Sequence, residues 1–97
     1  MFDKMKQLME LKSQADKIKR ELDAAIVEVT DVRGIKIVIN GSQTFNAIEV
    51  DESFLKPENK KKFESDLLRS LNAAIRKSQG VAAQKMKEVM PGGFPGL

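Results

Sequence analysis

Four cations recur along the last third of this chain at spacings that bring them to one side of a helix. At ~100° per residue, Lys62, Arg69, Arg76 and Lys87 fall within about 40° of one another, and Ala73, Gly80 and Ala83 lie along the same stripe. Small residues between cations let a helix backbone approach a chain of phosphates, and each phosphate neutralised releases a condensed counterion. Acids are scarce there, with Glu58 and Asp66 at the margins, and Lys60, Lys61 and Lys62 form a cluster at the start. A second set, Lys6, Lys17 and Arg20, falls together on an N-terminal helical pattern, opposite its apolar seam. The competing reading is plain solvation, which gives any exposed helix a charged face.

Other chemistries are poorly supplied. The 97 residues include no histidine and no cysteine, which removes the usual nucleophile-base pairs, thiol chemistry and most transition-metal sites, so no enzyme and no cofactor are expected. The acids Glu28, Asp31, Glu49, Asp51 and Glu52 lack metal-loop spacing. There is no Tyr or Trp, and no aromatic on the basic stripe, which disfavours stacking platforms for single strands. Contacts to a duplex backbone, with weak sequence preference, are what remains. The N-terminal MFDKMKQLME is charged where a signal peptide needs an apolar stretch, and no run of about 18 apolar residues occurs. A cytoplasmic protein that uses neither a membrane nor a small-molecule substrate is the expectation.

The net charge of +3 is unevenly distributed: residues 1–23 hold six Lys/Arg and five Asp/Glu, residues 24–55 two and five, residues 56–97 nine and four. Two basic segments thus flank an acidic centre, a pattern that suits a polyanionic partner met by the ends. A chain this short buries a modest share of its surface, so a second subunit is expected.

The elements that must position these cations can be read from periodicity. Leu8, Leu11, Ala15, Ile18 and Leu22 alternate spacings of three and four, the seam of a helix from about Phe2 to Asp23. AIVEVT then reads as a strand, and a three-residue loop, Val32-Arg33-Gly34, turns the chain with Gly34 in the left-handed region. That loop sets Val27 and Val29 on one face with Ile35, Ile37 and Ile39, and a two-residue Asn40-Gly41 turn adds Ile48 and Val50. Ile26, Val38, Phe45 and Ala47, among Glu28, Lys36 and Glu49, make the other face too apolar for full solvation, so a second subunit, or the chain's own tail, is expected to cover it. Asp51 caps a short turn, and Pro57 opens a long helix to about Met90 whose apolar side carries Phe63, Leu67, Leu71, Ala74, Ile75, Ser78, Ala82 and Val89. Gly80 is a candidate bend or break. The terminal PGGFPGL cannot be helical and reads as a flexible tail, giving one domain over 1–90 and a tail over 91–97.

The segments FDKMKQLMELKSQADKIKREL, GIKIVINGSQTFNAIEVDESFL, LLRSLNAAIRKSQ and PGGFPGL, taken in this order, resemble the YbaB/EbfC family of nucleoid-associated proteins over nearly the whole chain. The resemblance implies an α+β fold: a helix, a three-stranded antiparallel sheet and a long helix, in a tweezer-like homodimer whose helical arms bind and compact double-stranded DNA in the bacterial nucleoid. It places Asn72 and Lys77 in the family's Asn-Asp-Ala-x-x-Lys segment. Ala73 stands where the family commonly has Asp, and only Gly34 remains of a glycine run before the second strand. The expected DNA-binding residues are Lys6, Lys17, Arg20, Lys62, Arg69, Arg76 and Lys87. The alternative is a dimeric adaptor whose arms clamp a protein partner.

Overall fold

The computed structural model describes residues 2–89. Helix α1 (Phe2–Ala24) leads into strands β1 (Ile26–Val29), β2 (Ile35–Asn40) and β3 (Phe45–Val50). Two 3-10 turns, Glu52–Leu55 and Pro57–Asn59, precede helix α2 (Lys60–Val89). The strands form one antiparallel sheet in the order β1-β2-β3. The fold class is therefore α+β, as the sequence indicated. With extents of 67 × 20 × 17 Å and a radius of gyration of 18.7 Å, the chain is elongated beside the ~13 Å of a compact 100-residue domain.

The first hairpin has the register its loop dictates. Val29 pairs with Ile37 and Val27 with Ile39, as a loop of Val32, Arg33 and Gly34 requires. Gly34 has φ +89°, and a Cβ there would stand 2.8 Å from the Phe54 ring, so both backbone and space call for glycine. Val29, Ile35, Ile37 and Ile39 are buried against α2, joined by Val32, Phe54, Ala73 and Ala74.

The second hairpin departs from the expected two-residue Asn-Gly turn. Ile37 pairs with Ile48 and Ile35 with Val50, a pairing that leaves a connection running from Asn40 to Thr44, and a bulge separates Val38 from Ile39. The Asn40 side chain anchors this connection by accepting from the backbone N–H groups of Ser42 and Thr44, both at 2.9 Å. Gln43, not Gly41, takes the positive φ, +62°. The reason is tertiary: the Gly41 N–H donates to the carbonyls of Leu22 (2.9 Å) and Ala25 (3.1 Å), where α1 ends and no further helical turn follows to bond its last carbonyls. The Asn-Gly pair serves the helix end, and the turn forms one step later. The bulge also sets Phe45 opposite Ile39, away from the outer-face row.

Helix α2 crosses β1 and β2 and leaves β3 outside, so Ile48, on the core face by parity, is half exposed. The outer face of the sheet is uncovered among the described residues, with Ile26 exposed and Lys36 held between Glu28 (3.4 Å) and Glu49 (3.9 Å). Asp51 caps the first 3-10 turn through Ser53 N (2.9 Å). Pro57 opens a 3-10 turn, not α2 itself, which begins at Lys60. Gly80 does not break α2, which is continuous to Val89. The expected tail, 91–97, lies outside the described residues.

Candidate nucleic-acid interface

The α2 cations form the expected row. Lys62, Arg69, Arg76 and Lys87 are all exposed, and at 1.5 Å per residue the row is about 37 Å long. One correction concerns the small residues between them: Ala73 is buried in the core, so it is no part of the outward stripe. The helical wheel gave its angle correctly, but Ala73 belongs to the buried cluster that also holds Val32 and Phe54, so the covered arc of α2 reaches it.

Asp66 stands between two of these cations, 4.0 Å from Lys62 and 3.4 Å from Arg69. Its carboxylate is largely buried while both partners are open to water. Lys62 also lies 5.5 Å from the centre of the Phe54 ring, a cation-π contact that steadies the start of the row. Glu64 pairs with Lys60 at 3.3 Å, which offsets part of the unfavourable placing of three lysines at a helix N-terminus. Among the described residues no carboxylate lies within ion-pair distance of Arg76 or Lys87, nor of Lys6, Lys17 or Arg20.

The second row is on α1, where Lys6, Lys17 and Arg20 are exposed and span about 21 Å. Glu10, Asp16 and Glu21 interleave with it, so its field is weaker than that of the α2 row. The structure does not bring the two rows together. Buried Ile18 and half-buried Leu22 face α2, and the part-covered Val81, Ala82, Lys85, Met86 and Val89 of α2 face α1. Each row lies opposite its own helix's contact side, so the rows are back to back across the arm.

Lys77 has a different part to play. Its Nζ lies 2.7 Å from Asp31 Oδ1, tying α2 to the β1–β2 loop. Asn72, five residues earlier, is exposed. Asp66 pairs with the row although the sequence suggested only a residue at its margin; its spacing, four residues after Lys62 and three before Arg69, is that of helical ion pairs.

The sequence model of the YbaB/EbfC DNA-binding family matches residues 1–94. The chain belongs to this family. Among its YbaB/EbfC relatives, a protein of Syntrophobacter fumaroxidans called a nucleoid-associated protein is 31% identical over 98 residues, covering 99% of this chain and 89% of the relative. A nucleoid-associated protein of Chloroflexus aurantiacus is 31% identical over 94 residues, covering 96% and 93%. Another, from Dictyoglomus thermophilum, is 28% identical over 92 residues, covering 94% and 88%. No helix among the described residues of this YbaB/EbfC chain is long and apolar enough to cross a membrane.

Proposed function

We propose that this chain is a nucleoid-associated protein that binds duplex DNA through phosphate contacts made by its cation rows, working as a homodimer on the bacterial nucleoid, and that it thereby alters DNA conformation or compaction and the expression of genes there. The observation that carries this reading is the α2 row: four exposed cations on one uninterrupted helix, about 37 Å long, comparable to the ~34–36 Å of one duplex turn. Family membership and the names of the relatives support it.

The sheet supports the homodimer. β3 is an edge strand of six residues, five of them exposed, and it offers unpaired backbone groups beside the apolar Phe45 and Ile48. Pairing there leaves the arms free. Rows that stand back to back suit two duplex segments better than one, so bridging is the compaction mechanism that fits this geometry.

The test is fluorescence anisotropy of a labelled ~20–30 bp duplex, titrated with protein between about 50 and 200 mM salt. A steep negative log-log slope, shared by unrelated sequences, is expected. No binding at the lowest salt would remove the DNA reading in favour of an adaptor that grips a protein partner.

A further inference from the structure

An asparagine followed by glycine is chemically labile as well as turn-forming. Because the glycine has no Cβ, its main-chain nitrogen can reach the side-chain carbon of the asparagine, one route by which asparagine is lost from proteins. At Asn40-Gly41 the Gly41 nitrogen attacks Asn40 Cγ, the Cγ–Nδ2 bond breaks, and Nδ2 leaves as ammonia with the Gly41 amide proton. Water then opens the resulting succinimide. Addition at Cγ gives aspartate, and addition at the Asn40 main-chain carbonyl carbon gives isoaspartate, which carries the main chain through one more methylene.

The fold prepares one half of this reaction and withholds the other. Asn40 Oδ1 accepts from the N–H groups of Ser42 and Thr44, both at 2.9 Å. Two donors aimed at a carbonyl oxygen stabilise the charge that develops there on attack, so the electrophile is not what is protected. The nucleophile is. The Gly41 N–H must give up its proton to attack, and it is donated to Leu22 O at 2.9 Å and Ala25 O at 3.1 Å. Gly41 is buried, with the end of α1 so near that a Cβ would stand 3.0 Å from Leu22 O, and a base in solvent does not reach that proton while the contact holds. The Asn40 main-chain carbonyl, which must turn for the ring to close, is held by Ser78 Oγ at 2.7 Å and Gln43 N–H at 3.2 Å. The Ser42 hydroxyl, bonded to Asp23, ties the connection to the same helix end. We propose that Asn40 is a deamidation site kept shut by this corner of α1, β2 and α2 and exposed when the end of α1 leaves the sheet, so that a transient opening is recorded as a permanent change of the main chain.

The test incubates the full-length protein and the peptide KIVINGSQT, residues 36–44, side by side in mildly alkaline buffer. Peptide mapping by mass spectrometry follows conversion at Asn40. The folded chain is expected to convert at least about tenfold more slowly than the peptide, since reaction waits on local opening. Ser42→Ala frees the connection from Asp23 but keeps the main-chain donor on Asn40 Oδ1. It should convert several times faster than the unsubstituted chain, each rate being taken relative to its own peptide. If far-UV circular dichroism shows that this variant has lost its fold, Ser78→Ala takes its place with the same expectation. Equal rates in the unsubstituted chain and its peptide overturn the proposal, because the corner then shields nothing. So does a peptide that fails to convert, or a loosened variant no faster than the unsubstituted chain, which would separate the reaction from the opening of the corner.

Discussion

The hydroxyl of Ser78 donates to the main-chain carbonyl of Asn40 across 2.7 Å, and the Ser78 side chain is fully buried. This bond pins the middle of α2 to the end of β2, at the corner where Gly41 holds the end of α1. The corner therefore sets how the arm leaves the sheet. Ser78→Ala removes the donor, while the Asn40 carbonyl keeps the Gln43 N–H at 3.2 Å as a partner. The expected loss is about 1 kcal/mol, or roughly 4–8 °C in Tm for a chain of this size. Thermal unfolding followed by circular dichroism checks it, and an unchanged Tm would mean that the corner does not depend on this bond.

Two glycines should respond to alanine with opposite signs. At Gly41 a Cβ would meet Leu22 O at 3.0 Å and Leu22 Cα at 3.2 Å, backbone atoms that yield only if the end of α1 moves. Gly41→Ala is expected to cost ~1–3 kcal/mol, as overpacking does. At Gly80 nothing lies within 4 Å, and the residue sits inside a continuous helix. Gly80→Ala is expected to add up to ~1 kcal/mol of stability. Urea midpoints of the two variants decide the matter, and a destabilised Gly80→Ala would show that the helix needs a glycine there for a reason absent from its packing.

Stability should fall on the acid side through two hydrogen-bonded carboxylates, Asp23 near the end of α1 and the cap residue Asp51. The Ser42 hydroxyl, and after it Lys19, hold Asp23 below the ordinary carboxylate range. The Ser53 backbone N–H does the same for Asp51. A carboxyl whose folded pKa is depressed contributes stability that is complete above its unfolded value, ~3.9, and that is lost as pH falls through the folded value. The protein should therefore hold its stability from neutrality to about pH 4 and lose it below. A variant with Asp23→Asn and Asp51→Asn should show a shallower acid limb in urea midpoints measured down to about pH 2.5. An equally steep limb would assign the acid sensitivity to other carboxylates.

Local signals in the sequence proved reliable where local geometry decides. The Val32-Arg33-Gly34 loop dictated the β1–β2 register because the residues that constrain it adjoin the strands they join. The cation rows were legible because helical spacing alone sets them. Asn40-Gly41 misled because the Gly41 N–H is claimed by Leu22, nineteen positions earlier in the chain. The burial of Ala73, in the cluster with Val32 and Phe54, and the Lys77 pairing with Asp31 likewise depend on what packs against α2. The opposed placing of the two rows was hidden for the same reason, since it follows from the side-by-side packing of α1 and α2 and not from either helix separately.

Asp66 offers a discriminating test of the α2 row, because its removal should strengthen binding. Its carboxylate engages Lys62 and Arg69 and would face the phosphates that those cations meet. Ion pairs with exposed partners are worth only ~0–1 kcal/mol, so the loss of both is tolerable for the fold. The hydrogen bond from Ser70 Oγ goes to the Asp66 main-chain carbonyl and survives any change of side chain. Asp66→Asn should therefore raise affinity for a duplex at every salt concentration, with little change in Tm. Arg69→Glu with Arg76→Glu should do the reverse and flatten the salt slope by roughly 1.8, two contacts at ~0.9 each. Lys77→Ala should leave the slope alone, since its ammonium is committed to Asp31. If Asp66→Asn changes neither affinity nor slope, Lys62 and Arg69 do not touch the duplex, and the α2 contact shortens to Arg76 and Lys87.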